Sequence, residues 1–329
     1  HHAAEILFST LTMMFLILAL HSGRSMSFAG VQKDWSAFKK PLLYSILTGV
    51  ALGLYIDAWA SGFLFEGIIL LFLLLQSIFD HIRGKNVEYL SITAGIAFLV
   101  AIVLVLPFVD SANGFSNYYY SFFQPTILLI GIIAAVFLSI LSRLVREKSF
   151  PGYYYPGALL GLAALGTFVL YFAFPQFTKP LLSGFAIFQA KTGGAATVGE
   201  AAALLSEGGA FSFGNVLRSF PGLGAMSGSP LAILFSLFTL ALIALLVMAV
   251  KNAKIQKPAE ILVLTWSIII LIMTLAQNRF TYYYAVNVAI LTGFLVVWAL
   301  QKAGMGSLER ELAGIRDQNK LIATSLKLL

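Results

Sequence analysis

Nine long apolar runs alternate with shorter polar connections along the 329 residues. They cover roughly 3–20, 41–56, 58–79, 89–109, 124–144, 156–173, 230–250, 258–276 and 280–300. Each is about the length that crosses ~30 Å of hydrocarbon as an α-helix. The runs are too long for barrel strands, and an isolated strand leaves its backbone unsatisfied in lipid. The pattern therefore predicts an all-α polytopic membrane protein. Its transmembrane domain is expected over 1–301, with about nine helices. A proline at or near the start of several runs suits the first turn of a helix.

Two stretches break the alternation. Residues 174–229 form a connection of 56 residues with ten glycines. Apolar segments inside it, around Leu181–Phe188 and Val198–Leu205, predict short helices joined by glycine hinges. A connection of this length suits a lid that orders over a substrate, or a passive cap over helix ends. The tail 302–329 has Ser307 as a candidate cap, Glu309 and Glu311 behind it, and Leu308, Leu312 and Ile315 on one face. That predicts an amphipathic segment on the cytoplasmic surface.

Composition agrees with the pattern. Hydrophobic residues make up 59% of the chain and charged residues 11%, which excludes both an ordinary soluble globule and a disordered chain. There are no cysteines, so thiol chemistry and cysteine-based metal sites are excluded. The net charge of +7 lies mostly at helix ends, where it reads as an orientation signal and not as a nucleic-acid footprint. With the N-terminus outside, 17 of the 21 basic residues fall on inner connections or the tail. This predicts a multi-pass cell-membrane protein with the His1 end and the 174–229 loop extracytoplasmic. Residue 1 is His, and the first apolar run lacks a basic flank and a cleavage site. It is therefore not a signal peptide, and the chain reads as an internal piece of a longer protein.

Few ionisable groups fall near the outer face, and charge within a span defaults to a functional hypothesis. His1 and His2 stand at the mouth of the first span, and imidazole is a common ligand for divalent metals. Glu5 is one turn further in and reads as a ligand, a partner of a ligand, or a residue reaching for the interface. Glu200 can complete a site when the loop closes, or be a solvated loop acid. Arg279 is the only basic residue in a short outer connection. Its planar fork suits a phosphate, or reaches lipid headgroups. Trp59, in a very short outer turn, is an interface anchor or a contact for a lipid-like ligand. Glu66 is expected to make an interhelical hydrogen bond. The tyrosine triplets 118–120 and 153–155 are expected in an interface belt. P-loop, dinucleotide-binding, nucleophile-elbow and His-Glu-x-x-His motifs are absent, as is any Asn-x-Ser/Thr.

Four segments, in order, resemble the catalytic subunit of archaeal-type oligosaccharyltransferases. His1-His2-Ala3-Ala4-Glu5 is similar to the stretch at that family's second acidic motif, with His2 at its third position. Gly53, Tyr55 and Trp59 are similar to the helices that follow. Thr197-Val198-Gly199-Glu200 resembles the loop motif Thr-Ile-x-Glu, and Arg279-Phe280-Thr281-Tyr282-Tyr283 resembles Arg-Phe-x-Tyr-Tyr. The resemblance implies a membrane glycosyltransferase of the C superfamily with a long external loop. Such an enzyme moves an oligosaccharide from a polyprenyl or dolichyl (phospho)phosphate to Asn of Asn-x-Ser/Thr in an acceptor protein.

The resemblance implies further that a divalent cation, Mn2+ or Mg2+, is held by His2 and Glu200. Glu200 is then the catalytic residue of the loop, holding the metal site or the acceptor. Arg279, Trp59 and Thr197 are implied to bind substrate, in a single-subunit enzyme embedded in lipid. The family's N-terminal helices, the Asp before His1 and the soluble C-terminal domain would lie outside this chain, which alone is expected to be inactive. The rivals are a polyprenyl-phosphate-sugar transferase with a lipid or O-linked acceptor, a transporter or flippase, and a passive membrane subunit. Transporters favour midplane charges and inverted repeats. Here the candidates gather at one face and no repeat is visible.

Overall fold

The computed structural model describes residues 2–30, 35–60, 62–175, 178, 182, 203–207, 210–211, 213–221 and 235–303. It contains two compact units, His1–Leu204 with Lys251–Tyr284, and Leu205–Val250 with Ala285–Leu329. Ten helices are described: α1 His2–Ser22, α2 Trp35–Ala58, α3 Phe63–Ile82, α4 Glu88–Val105, α5 Phe123–Glu147, α6 Tyr154–Ala173, α7 Gly214–Ser219, α8 Leu237–Ile255, α9 Pro258–Ala276 and α10 Thr281–Lys302. Among the described residues, eight of these elements are long and apolar enough to cross a membrane. The run expected at 230–250 is described from Leu237 onward and gives a shorter apolar helix, Leu237–Ala253. The architecture is the all-α polytopic one that the pattern predicts. The tail segment expected over 302–329 lies outside the described residues beyond Ala303.

In the first unit, α1 packs on α2, α2 on α4, and α4 on α5, while α3 packs on α5 and α9. Apolar side chains gain little by leaving lipid for protein, so close backbone approach and polar links must hold such a bundle. Gly49 and Gly53, one turn apart, supply the approach. A Cβ at Gly49 would collide with the Ala97 carbonyl, and one at Gly53 would lie 2.9 Å from Leu104 Cβ. The polar links join the same helices. Ser91 of α4 bonds the Ala135 carbonyl and, at 2.5 Å, the Ser139 hydroxyl of α5. Other hydroxyls satisfy themselves on their own helix, as Thr12 does on the Phe8 carbonyl at 2.7 Å and Thr48 on that of Tyr44 at 2.7 Å.

Two expectations change. The second helix begins at Trp35, ahead of Pro41, because an early proline forfeits one backbone bond without ending the helix. The third begins at Phe63 and not at 58, because the Gly62 N–H reaches back to the Trp59 carbonyl at 2.7 Å ahead of the helix. Tyr118, Tyr119, Tyr153 and Tyr154 are exposed, as the expected tyrosine belt requires. It fails for Tyr155, which is buried and donates to Ser77 Oγ and to the Leu138 carbonyl, both at 3.1 Å. Most of α6 is exposed, the condition of a helix that faces hydrocarbon.

The second unit holds a two-residue antiparallel pair, Ser206–Glu207 with Ala210–Phe211, together with α7, most of α8, and α10 beyond its first turn. Phe220, just after α7, stacks on Phe238 of α8 with centroids 5.8 Å apart.

Candidate functional site

The first turn of α1 and the first turn of α10 meet. Each has polar residues at the end of an apolar helix, where side chains can reach one another before the hydrocarbon begins. The Tyr283 hydroxyl donates to Glu5 Oε2 at 2.7 Å. Tyr55, near the end of α2, places its hydroxyl 3.4 Å from that of Tyr283. Glu5, Tyr55 and Tyr283 are all buried, so this is a dry hydrogen-bonded chain across three helices.

His2 stands one turn above Glu5. Its Nδ1 is 3.1 Å from the Tyr282 hydroxyl and 3.6 Å from Glu5 Oε2, while more than half of its side chain stays exposed. The Tyr282 ring lies 5.1 Å from the imidazole, centroid to centroid. The Nδ1 of His2 is thus engaged by a hydroxyl with a carboxylate close by, an arrangement that orients the ring.

Aromatic contacts carry the site from Trp59 to Arg279. Trp59 meets Tyr55 edge-on at 6.3 Å, Tyr55 meets Phe65 at 4.9 Å, and Phe65 meets Tyr283 at 6.0 Å. Tyr283 then lies 6.1 Å from Phe280, over whose ring the Arg279 guanidinium sits at 4.9 Å. Trp59 is half-buried in the turn that ends α2, with its N–H on the Tyr55 carbonyl at 3.2 Å. Arg279 lies in a 3-10 turn, Asn278–Phe280, between α9 and α10. Its Nε is buried and has no hydrogen-bond partner among the described residues.

The turns at this end are pinned by hydrogen bonds. Gln124 donates from Nε2 to the Ala60 and Tyr119 carbonyls, both at 2.9 Å. Tyr120 donates its hydroxyl to the Asp57 carbonyl at 2.5 Å. Burial first, and the nearby Asp57 carboxylate second, push the Tyr120 hydroxyl above its ordinary range. Leu204 donates its backbone N–H to the Leu275 carbonyl at 3.3 Å, close to Arg279 in sequence.

The structure thus gathers His2, Trp59 and Arg279, of the residues expected from sequence, around a Glu5–Tyr283–Tyr55 core. Glu200 and Thr197 lie outside the described residues, as does His1. Tyr55 and Tyr283 were visible only as members of motifs, with no individual role. The one signal that singles them out is a hydroxyl on an otherwise apolar helix face. Glu66 does not behave as expected. Both its carboxylate oxygens are buried without a hydrogen-bond partner among the described residues, and Oε1 lies 3.0 Å from where a Cβ on Gly131 would stand. Gly131 leaves room for the carboxylate but offers no side-chain donor.

An imidazole and a carboxylate are suitable ligands for a divalent cation. Among the described residues no group of three or more His, Asp or Glu side chains converges, so the donor set here fits such an ion in part.

No family model matches the chain. The dolichyl-monophosphooligosaccharide–protein glycotransferase AglB of Haloferax volcanii is 27% identical over 333 residues, covering 84% of this chain and 31% of that protein. The dolichyl-phosphooligosaccharide–protein glycotransferase 3 of Archaeoglobus fulgidus is 27% identical over 301 residues, covering 88% and 32%. Among solved structures, the archaeal oligosaccharyltransferase AglB of Archaeoglobus fulgidus, in complex with an inhibitory peptide and a dolichol-phosphate, superposes with a TM-score of 0.76. It is 24% identical and is matched over 95% of this chain and 34% of that one. The likeness to archaeal-type oligosaccharyltransferases extends over nearly all of the chain, which spans about a third of the length of the curated relatives it matches. This chain and that solved structure share a fold of long apolar helices; in this chain eight, among the described residues, are long and apolar enough to cross a membrane.

Proposed function

We propose that this chain is the transmembrane part of an enzyme of N-glycosylation. In our reading the enzyme moves an oligosaccharide from a polyprenyl or dolichyl phosphate to the side-chain amide of Asn in Asn-x-Ser/Thr. The observation that carries the proposal is the convergence of His2 and Arg279 on one buried tyrosine–glutamate core, at the positions where the motifs predict a metal ligand and a phosphate ligand. The curated relatives carry the donor and the reaction in their names.

An amide nitrogen is a poor nucleophile because resonance delocalises its lone pair. Acidic groups at the membrane surface orient that amide for attack on the anomeric carbon. Arg279 places fixed positive charge beside the departing phosphate. Its planar guanidinium can give that phosphate two parallel N–H bonds, and Nε has nothing else to bind among the described residues. Trp59 offers an apolar face to the lipid carrier of the donor. His2, oriented through Nδ1, would hold a divalent cation together with Glu200. When bound, that ion neutralises charge on the leaving phosphate and polarises the acceptor.

The 174–229 loop closes over the site and limits hydrolysis of the donor. Leu204 supports this role. Its backbone N–H bonds the Leu275 carbonyl of α9 at 3.3 Å, four residues before Arg279. The site and the loop face the extracytoplasmic side, with the basic helix ends inside.

The test uses the complete protein that contains this chain. Glycan transfer from a lipid-linked donor to an Asn-x-Thr peptide is measured with and without divalent metal, in wild type and in Glu200→Gln. Metal-dependent transfer that collapses in the variant supports the proposal. No transfer by wild type, with donor and metal shown to be competent, overturns it in favour of a lipid or O-linked acceptor.

A further inference from the structure

Just beyond the far end of α1, roughly 30 Å along the helix from His2, the turn after α1, the end of α3 and the start of α4 line an open cavity of about 270 Å³. Arg24, Asp80, Lys85, Asn86 and Tyr89 line it. Its floor is built from buried polar groups. Asp80 and Tyr89 are 3% and 2% exposed, and the Tyr89 hydroxyl donates to Asp80 Oδ2 at 2.8 Å. The Arg24 side chain lines the same cavity beside that hydroxyl. A buried carboxylate therefore fixes a tyrosine, and an arginine stands at the same cavity wall.

The opposite wall is as well held. The Lys85 N–H bonds the Asp80 carbonyl at 2.8 Å, and the Lys85 carbonyl accepts from Arg146. Gly84 takes the left-handed φ of 68° that lets the chain turn there. Asn86 is clamped through both ends of its amide, with Nδ2 on the Met26 carbonyl and Oδ1 on the Glu88 N–H, each at 2.9 Å. With its backbone held, Lys85 leaves its side chain exposed at the rim.

Two cations thus face one carboxylate that is already engaged by Tyr89. The donor set is a guanidinium fork, a mobile ammonium and the second N–H of an amide, which matches a tetrahedral phosphate. Phe28 and Ile82, next to this rim in sequence, are exposed apolar side chains that suit acyl chains. Basic pockets between transmembrane helices at the membrane surface take anionic head groups. We propose that this cavity binds a phosphate group, presented by an anionic lipid head group or as free phosphate, at a site separate from the transfer site.

The experiment uses the complete protein purified in a zwitterionic detergent. Retention of added phosphatidylglycerol and of phosphatidylcholine is read by native mass spectrometry. Thermal stabilisation by inorganic phosphate against an equal concentration of chloride is read in parallel. The variants are Arg24→Gln with Lys85→Gln, Lys85→Gln alone, and Arg143→Gln as a nearby surface control. Lys85→Gln alone changes only an exposed side chain, so it reports on the site even if the double variant folds poorly.

A lipid site shows preferential phosphatidylglycerol retention that falls about tenfold in the double variant, severalfold in Lys85→Gln, and not at all in Arg143→Gln. A free-phosphate site shows phosphate-specific stabilisation with the same ranking of variants and no lipid preference. Equal behaviour of wild type and Lys85→Gln in both arms overturns the proposal.

Discussion

The Tyr283 hydroxyl bonds the Glu5 carboxylate across 278 residues of sequence and ties the first turn of α10 to the first turn of α1. Both groups are buried, so each depends on the other. Glu5 in turn lies beneath His2. The bond therefore joins packing to the chemistry of the site.

Tyr283→Phe removes one donor from a buried carboxylate. A buried polar group that loses a partner costs about 1–3 kcal/mol, and the thermal midpoint of the purified protein should fall accordingly. Glu5→Gln keeps an acceptor in place and should cost less. A double-mutant cycle on the pair should give a coupling of about 0.5 kcal/mol or more. Strict additivity would show that the two side chains do not communicate.

The close crossing of α2 on α4 makes a second expectation. Gly49 has no space for a side chain, since even a Cβ would meet the Ala97 carbonyl and the Val100 side chain. Gly49→Leu must push the helices apart and break the packing that brings Tyr55 to Tyr283. We expect loss of folded protein, read as aggregation on size-exclusion chromatography. The control is Gly95→Leu in α4, where a Cβ would meet nothing within 4 Å. Equal tolerance of both substitutions would remove the close approach as a structural cause.

Much of this was legible in the sequence, and the reasons differ from part to part. The helices were legible because hydrocarbon imposes one length and one polarity on every span. The neighbourhood of His2, Trp59 and Arg279 was legible because the alternation of spans puts all three at helix ends on one expected side. The roles of Tyr55 and Tyr283 were not, because a tyrosine near a helix end reads equally as an interface anchor. Only the partner, 228 residues away in the Tyr55–Tyr283 pair, distinguishes the two readings. Tyr155 shows the same ambiguity resolved toward burial. Glu66 was misjudged for a different reason, since sequence supplies the acid but cannot say that the facing residue is Gly131.

Tyr120 gives a dependence on pH. Its neutral hydroxyl is the donor to the Asp57 carbonyl, and its pKa in the fold is raised by burial and by the Asp57 charge. A raised acid pKa means that the folded state resists losing this proton more than the unfolded chain does. The stabilisation is therefore full below the ordinary tyrosine value of about 10 and is lost as pH rises through the folded value. Wild type should lose stability at alkaline pH more steeply than Tyr120→Phe. At neutral pH the variant should be weaker by about 0.5–1.5 kcal/mol, the net worth of one hydrogen bond. Thermal melts of both proteins at neutral and alkaline pH check the crossing of these two trends.

Substitution of Arg279 separates the proposed donor binding from folding. Its guanidinium stacks on Phe280, and its buried Nε has no hydrogen-bond partner among the described residues. A buried donor without a partner is unfavourable until an anion arrives. Arg279→Ala should therefore leave the thermal midpoint unchanged or slightly raised, whereas a structural arginine would lower it. In the complete protein, transfer from the lipid-linked donor should fall by about 10²–10³-fold, the usual cost of removing a group that stabilises developing negative charge. Arg279→Lys keeps the charge but not the paired N–H geometry, so its activity should lie between wild type and Arg279→Ala. The measurement is kcat/KM for the donor in all three proteins, beside their melting curves. Wild-type activity in Arg279→Ala would sever the phosphate from this residue, and lysine rescue to the full rate would show that charge alone suffices.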